Sequence, residues 1–472
     1  MYSEKKGISA YGDDALGTKD GVELAALVAA GEIQASEAVE AAIARVRKVN
    51  PALNAIVTET FEQARSQHKI PAAGLLAGVP SFIKDNEHVK GAPTLIGTRA
   101  LPRKPADVSS RFVEQFLSVG LVSLGKTTLP EFGLTATTES LVTGPTHNPW
   151  NLDYSAGGSS GGSAALVAAG VVPLAHGNDG GGSIRIPAAC CGLVGLKPSR
   201  GRLADVEGTE KMLIHIVCNG VISRSVRDTA AFYAAVEKNY HNPDLPEIGL
   251  VQHPGKNRLR IGLFTDTPHK TSSHTDSVEV TANTGKLCED LGHNVEKISC
   301  PFKAQIMDDF IIYWGMLAFF IHHFGKMILD PEFDKKQLEI WTLGLSRFFR
   351  KKFLKAPFSI RRLKKFSKQY ENIFSDYDIL LSPTLSHAPP KIGHIGPEVS
   401  FETHFERIRQ YVAFTPLQNT AGAPAISLPM GFSRNGLPIG VHFAAAYGQE
   451  KRLLELAFEL EEARPWPLVG QQ

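Results

Sequence analysis

Two glycine-framed serines and one lysine carry the chemistry this sequence can do. Over residues 155–201 the chain reads SAGGSSGGSAALVAAGVVPLAHGNDGGGSIRIPAACCGLVGLKPSRG. The first block, Gly157-Gly158-Ser159-Ser160-Gly161-Gly162-Ser163, opens directly into the helix-forming run 164–169. Glycine permits positive φ and close backbone approach, so a hydroxyl can sit in a tight turn at a helix N-terminus. The second block, Asp179-Gly180-Gly181-Gly182-Ser183, presents consecutive backbone N–H groups with almost no side chain over them. That arrangement suits an oxyanion hole around Ser183. A serine nucleophile needs a base. His176 is the histidine nearby, but neither a Ser-His-Asp order nor a G-x-S-x-G elbow is present. A lysine serves instead where burial keeps its amine neutral. Lys84 is the candidate, since it follows the strand-like Gly78-Val79-Pro80-Ser81-Phe82-Ile83 and precedes Asp85-Asn86, a strand-end position typical of functional residues in α/β proteins.

These blocks resemble the amidase signature family of serine hydrolases, whose hallmark is a Ser–cisSer–Lys triad. GGSSGGS at 157–163, D-x-G-G-S-I-R-x-P at 179–187 and G-L-K-P-[ST]-x-G-R at 195–202 match almost without gaps, and the 24-residue step from Ser159 to Ser183 is the family's own. Resemblance continues through GVPSFIKDN (78–86), GKTTLPEFG (125–133), GPTHNPW (144–150), Ser382–Thr384, FTPLQNTAGAPAISLPMG (414–431) and GLPIGV (436–441). Only about 301–372 lacks a counterpart that can be placed from the sequence.

Residue by residue, the resemblance implies that Ser183 is the acyl nucleophile and that Ser159, on a cis peptide, bridges it to Lys84. Lys84, neutral at rest, would take the proton of Ser183 through Ser159 and return it to the leaving amine. Backbone N–H groups of Gly180, Gly181, Gly182 and Ser183 would hold the oxyanion. Asp179 and Arg185 would frame the nucleophile loop, and Ser160 would support the hydrogen-bond network. The implied cycle is acyl-enzyme formation and hydrolysis, on a small to medium, partly apolar carboxamide, linear or cyclic, without cofactor or metal. Asn178 before the aspartate departs from the commoner G-[TS]-D-x-G-G-S and looks like the branch containing 6-aminohexanoate-cyclic-dimer hydrolases. Three alternatives stand beside this reading. The A subunit of a tRNA-dependent amidotransferase shares the triad blocks, but the Arg-Tyr-Asp-Gly segment usual there is missing. A fatty-acid-amide-type hydrolase draws support only from the character of 310–368. A non-catalytic binding module should lack a triad residue, yet all three are present.

Behind these residues the chain alternates short apolar runs (77–83, 119–124, 171–174, 259–264, 379–382, 425–428, 438–443) with helix-like segments. That texture, with the resemblance, implies an α/β fold: a large mixed, mostly parallel β-sheet covered on both faces by helices, in one domain over 1–472. Helices are expected over 18–49 (Ser36 as a cap, Asn50-Pro51 as the stop), 108–117 behind Asp107, 276–291 and 450–462. The segment 301–372 reads as a helical cap inserted into that body.

Composition sets the remaining bounds. The chain has 472 residues, and 50 Lys+Arg against 48 Asp+Glu leave a net +2, so there is no global pull toward nucleic acid. At 43% hydrophobic and 21% charged, wholesale disorder is excluded. Five cysteines without a CxxC fit neither a disulfide scaffold nor a zinc site, and point to a reducing, cytoplasmic setting. The polar N-terminus MYSEKKGISAYGDD does not read as a secretory leader. The longest apolar run, 310–321, falls short of the roughly 20 residues that span a bilayer; it reads either as a core helix or as the wall of a substrate pocket. Between Arg347 and Lys368 stand ten Lys/Arg and no acid, interleaved with aromatic residues. A solvated cap is the preferred reading, because Pro357 and irregular apolar spacing spoil the segregation that a membrane-surface helix needs; membrane or partner contact is the alternative, and self-association is left open. His176 reads as a packed residue beside the site, Asp85 as framework, and Cys190 and Cys191 as buried small apolar residues.

Overall fold

Apolar runs punctuated by glycine and proline become strands. In the computed structural model, which describes residues 7–66, 74–209 and 212–471, these are β1 (Ile56–Glu59), β2 (Pro80–Lys84), β3 (Val122–Thr127), β4 (Leu174–Asp179), β5 (Val194–Lys197), β6 (Cys218–Ser223), β7 (Arg260–Leu263), β8 (Asn294–Lys297), β9 (Ile379–Pro383), β10 (Ala425–Phe432) and β11 (Pro438–Ala444). The first three form a sheet in the order β1-β3-β2, and the other eight a sheet in the order β8-β7-β9-β11-β10-β5-β6-β4. Strands β5, β6 and β9 are buried at every position, as expected for strands covered on both faces. The sheet is mixed and helix-covered, but its direction differs from the sequence expectation. Only β7 with β8 and β7 with β9 pair in parallel, whereas β9–β11, β10–β11, β10–β5, β6–β5 and β6–β4 are antiparallel. Apolar alternation records burial and not strand direction. The tight turn through Asn435-Gly436, where Gly436 has φ 73°, makes β10 and β11 a hairpin.

Two helices carry the glycine–serine blocks. Helix α1 (Gly161–Ala168) is buried along its whole length and packs on β2, β4, β6 and on α2 (Arg185–Cys191). Its small residues allow that approach: a Cβ at Gly162 would stand 2.6 Å from the carbonyl oxygen of Ala55. The two sheets meet where β2 runs beside β4; Ser81 Oγ donates to the carbonyl of Leu174 (2.9 Å) and the Lys84 N–H to His176 Nδ1 (3.1 Å). The C-terminal ends of β2 and β4 thus lie together, bringing Lys84 and Asp179 to one place.

Between β8 and β9 the chain makes an all-helical excursion: α3 (Ala304–Ile328), α4 (Ile340–Lys352) and α5 (Ala356–Glu371). Helix α3 packs on α4 and α5, α4 on α6 (Phe401–Tyr411), and α5 on α7 (Pro416–Ala421). At 25 residues α3 is long and apolar enough to cross a membrane, which the twelve-residue run did not foretell; half of its most apolar window is buried within the fold. Pro357 sits in the first turn of α5 and starts that helix where the sequence reading had it interrupt one. Two helix ends also move. Ser110, not Asp107, caps Arg111–Leu117, and the helix Ala35–Leu53 carries Pro51 in its last turn and begins after Gln34. Of the polar N-terminal stretch, residues 1–6 lie outside the described residues.

Candidate active site

Lys84 is fully buried at the end of β2, and its amine is ringed by oxygen. Nζ lies 2.7 Å from Ser159 Oγ and 2.9 Å from Ser160 Oγ, and it also donates to Asn178 Oδ1. Ser160 in turn donates to the carbonyl oxygen of Asn178 (3.3 Å). The peptide bond Gly158–Ser159 is cis. Burial drives the Lys84 amine well below the usual lysine range, against the opposing pull of the Asp179 and Glu87 carboxylates. His176 stands behind the lysine. Its Nδ1 accepts the Lys84 N–H, so the neutral ring carries its proton on Nε2, which donates to Asn219 Oδ1 at 3.0 Å. Burial pushes that imidazole down to about 3, and Phe112 packs on the ring at 4.5 Å.

Asp179 and Arg185 form a buried pair at the mouth of the second glycine block. Arg185 Nε and Nη2 donate to the two carboxylate oxygens at 3.0 and 2.9 Å. Burial would raise the Asp179 carboxyl, but the Arg185 charge and a dense set of donors hold it well below the usual range. Those donors include the N–H groups of Gly182 (2.7 Å) and Ile184 (3.1 Å) and the Asn419 amide (2.9 Å). Gly182 was expected to offer its N–H to an oxyanion, but that N–H is already given to Asp179. Among the described residues, the N–H groups of Gly180, Gly181 and Ser183 remain without a protein acceptor. Gly182 is needed for its backbone instead: it has φ 132°, and a Cβ there would collide with Thr415 Oγ1 and stand 2.7 Å from the Ile186 side chain. Thr415 Oγ1 donates to the carbonyl of Gly181 (2.6 Å) and fixes the loop from the other side.

Ser183 lines an open cleft. The walls are apolar: Leu134, Met307, Phe310, Ile311, Trp314, Trp341 and Leu345. The run 310–321 therefore serves both readings, since Phe310 and Trp314 face the cleft while Ile312 and Met316 join the core beneath. Both indole N–H groups, of Trp314 (3.3 Å) and Trp341 (2.7 Å), donate to the carbonyl of Leu134, pinning the 133–136 wall to the helical excursion.

Lys84, Ser159 and Ser160 thus meet in one hydrogen-bonded group with Asn178, Asp179 and Arg185 form a second group that begins at the next residue of the chain, and Ser183 lies on the cleft side. Ser183 Oγ has no hydrogen-bond partner among the described residues, so the Ser159–Ser183 link of the expected relay is not made in this structure. Catalytic hydrogen bonds often tighten only once substrate is bound. Asp85 is ion-paired with Lys126 at 2.6 Å, a framework contact, and Cys190 and Cys191 are buried. Sequence reasoning missed Asn178 as a lysine partner, and it missed Thr415, Gln418, Asn419 and His442, which hold the loop or Arg185. Three of these four lie in FTPLQNTAG, a block noticed for its resemblance but given no role.

Known proteins resemble this chain along nearly its whole length. Residues 37–454 match the model of the amidase family. The AmiC protein of Mycobacterium leprae, described only as a candidate amidase, is 48% identical over 464 residues, covering 98% of each chain. The 6-aminohexanoate-cyclic-dimer hydrolase of Paenarthrobacter ureafaciens is 35% identical over 479 residues, covering 95% of each. A solved structure of 6-aminohexanoate cyclic dimer hydrolase with its substrate superposes with a TM-score of 0.87 at 32% identity, covering 96% of this chain and 98% of that one.

Proposed function

The chain belongs to the amidase signature family and is an amide hydrolase, and from that premise we propose that it works through an acyl-enzyme on Ser183, with Ser159 and Lys84 as the proton relay. The observation that carries the reading is the environment of Lys84 Nζ: fully buried, 2.7 Å from Ser159 Oγ, with Ser183 at the adjoining cleft.

Proton counting supports the direction of the relay. A neutral amine has two N–H bonds and one lone pair, while three oxygens surround Nζ. Asn178 Oδ1 can only accept. Ser160 already donates to the Asn178 carbonyl, so it accepts from Nζ as well. That leaves Ser159 to donate its hydroxyl proton into the lysine lone pair, and frees Ser159 Oγ to accept from Ser183 once substrate brings the two together. Ser183 then attacks the amide carbon while its proton passes through Ser159 to Nζ. The oxyanion is received by the N–H groups of Gly180, Gly181 and Ser183, each worth about 3 kcal/mol. Lys84 returns the proton to the leaving amine, and water hydrolyses the ester by the same relay in reverse.

The apolar cleft favours a small to medium carboxamide with an apolar arm. The cyclic amides named for the relatives belong on the test panel, beside short aliphatic, aryl and long-chain amides. Fluorophosphonate labelling should modify the native protein and not Ser183→Ala. Lys84→Ala should keep its fold by circular dichroism and lose at least about 10³-fold in kcat on any amide the native protein hydrolyses. Labelling that survives Ser183→Ala, or near-native turnover by Lys84→Ala, would refute the assignment.

A further inference from the structure

The apolar cleft does not end in neutral solvent. It adjoins a second groove between α3, α4, α5 and α6, and the two share Ile311, Phe405 and Arg409 as lining residues. The second groove carries Lys352, Lys355 and Arg362 besides Arg409. Asp308 is the acid among its lining residues, and two acids outside the lining, Asp309 and Glu406, pair with arginines that line it. Asp308 lies 3.2 Å from His269 Nε2, Glu406 is 3.7 Å from Arg409 Nη1, and the buried Asp309 holds Arg362 at 2.6 Å. Among the described residues Lys352 and Lys355 have no acid within ion-pair distance.

Arg409 stands at the junction and is held there from three sides, one of them the Glu406 carboxylate 3.7 Å from Nη1. Its guanidinium lies over the Phe405 ring, 6.0 Å from the centroid, and Nη2 is 3.4 Å from His269 Nε2. Its side chain is one-third exposed, so its remaining donors are open to a group arriving along the cleft. A planar guanidinium at the end of an apolar channel matches a carboxylate better than any neutral terminus, because it can donate two parallel N–H bonds.

We propose that Arg409 is a specificity residue and that the preferred substrates are amides whose apolar arm ends in a carboxylate, the arm lying in the cleft beside Ser183 and the carboxylate on Arg409 with Lys352 and Lys355 behind it. This rests on the amide-hydrolase reading of the same site and adds the charge at the far end of the substrate. The contact is near the surface, so it is screened by salt and modest in size.

The test uses the full-length protein and two matched series of increasing chain length. One series is the p-nitroanilides of dicarboxylic half-amides; the other is the benzamides of ω-amino carboxylic acids. Each member is paired with a neutral partner ending in hydroxymethyl. The expected result is a length window in one series where the carboxylate is favoured about tenfold in kcat/KM at low ionic strength, narrowing in about 0.5 M NaCl. Arg409→Gln should bring the charged-to-neutral ratio close to one. Arg409→Glu should invert the preference toward arms that end in an ammonium group, which a merely structural defect would not do. Equal turnover of charged and neutral partners at every length overturns the proposal while leaving the amidase reading intact, and so does an unchanged ratio in Arg409→Gln. Absence of Ser183-dependent turnover in both series, and on the neutral amides of the wider panel, overturns the amidase reading and this inference with it.

Discussion

At the scale of single residues, the proposed relay turns on keeping one amine uncharged inside the protein. Lys84 achieves this by complete burial, and Asn178, which presents an oxygen to Nζ, does so without adding charge. The activity limb on the acid side should therefore report Lys84 losing its proton, with kcat/KM rising as pH passes the depressed value. Asn178→Asp places a carboxylate on the same amine. A neighbouring anion favours ammonium, so the limb should move to higher pH, by about one unit or more, with kcat on the alkaline plateau less affected. Asn178→Ala removes the acceptor without the charge and should not move the limb upward. A pH–rate profile of the three proteins decides it; an unmoved limb in Asn178→Asp would detach Lys84 from the titration. Lys84, Ser159 and Ser183 could be singled out because a strand-end position, glycine framing and fixed spacing are local signals. The partners Asn178, Thr415 and Asn419 were not, because an amide or hydroxyl gains its role only from what the fold brings against it. The fate of the Gly182 N–H was hidden for the same reason: nothing in Asp-Gly-Gly-Gly-Ser says that the aspartate folds back onto it.

At the scale of elements, the helical excursion is fastened to the cleft wall through two carboxyls. Glu339, at the N-terminal end of α4, accepts the N–H of Leu141 (2.9 Å) and gives its own N–H to Glu131 (2.9 Å). Glu131 also accepts the hydroxyls of Thr98 (2.7 Å) and Thr342 (2.5 Å). Burial, and then the Glu131 charge, push the Glu339 carboxyl up to about 8, with Arg99 pulling the other way; burial raises Glu131 as well. In the unfolded chain Glu339 releases its proton near pH 4.5. Between that pH and about 8 the native protein binds the extra proton, so stability falls as pH rises through this window. Glu339→Gln keeps the acceptor for Leu141 and removes the titration. Its Tm should match the native protein near pH 5 and exceed it by a few degrees at pH 8.5; a difference independent of pH would show that the carboxyl does not titrate as argued. Element types and most strand positions could be read from periodicity. Strand direction could not: alternation of strand and helix implied parallel pairing, while the Asn435-Gly436 hairpin and the long excursions between strands produce a largely antiparallel sheet.

At the scale of the whole molecule, the site is closed by residues more than 200 positions apart in sequence. Lys84, Ser159 and Asp179 come from the N-terminal half. Asn419, on α7, binds that half to the C-terminal one: its Nδ2 donates to the Asp179 carbonyl (2.8 Å), the Asp179 carboxylate (2.9 Å) and the Ile216 carbonyl (2.9 Å), and its Oδ1 accepts Arg185 Nη2 (2.7 Å). Arg185 reaches further, to Gln418 (3.2 Å) and to His442 on β11 (3.0 Å). The same contacts brace the Ser183 loop and join the two halves, so stability and the proposed catalysis should share them. Truncating Asn419 leaves the buried Asp179–Arg185 pair short of partners, at about 2–4 kcal/mol. Asn419→Ala should therefore unfold at lower urea with an unchanged m-value. Because Asp179 also holds the Gly182 and Ile184 N–H groups, the loosened pair should misalign the Ser183 loop even where the protein remains folded. We expect kcat at 15 °C, well below unfolding, to fall about tenfold or more, with Ser183 still labelled by fluorophosphonate but more slowly. Full kcat at that temperature in a clearly destabilised Asn419→Ala would separate the two roles and leave Asn419 as a fold contact alone.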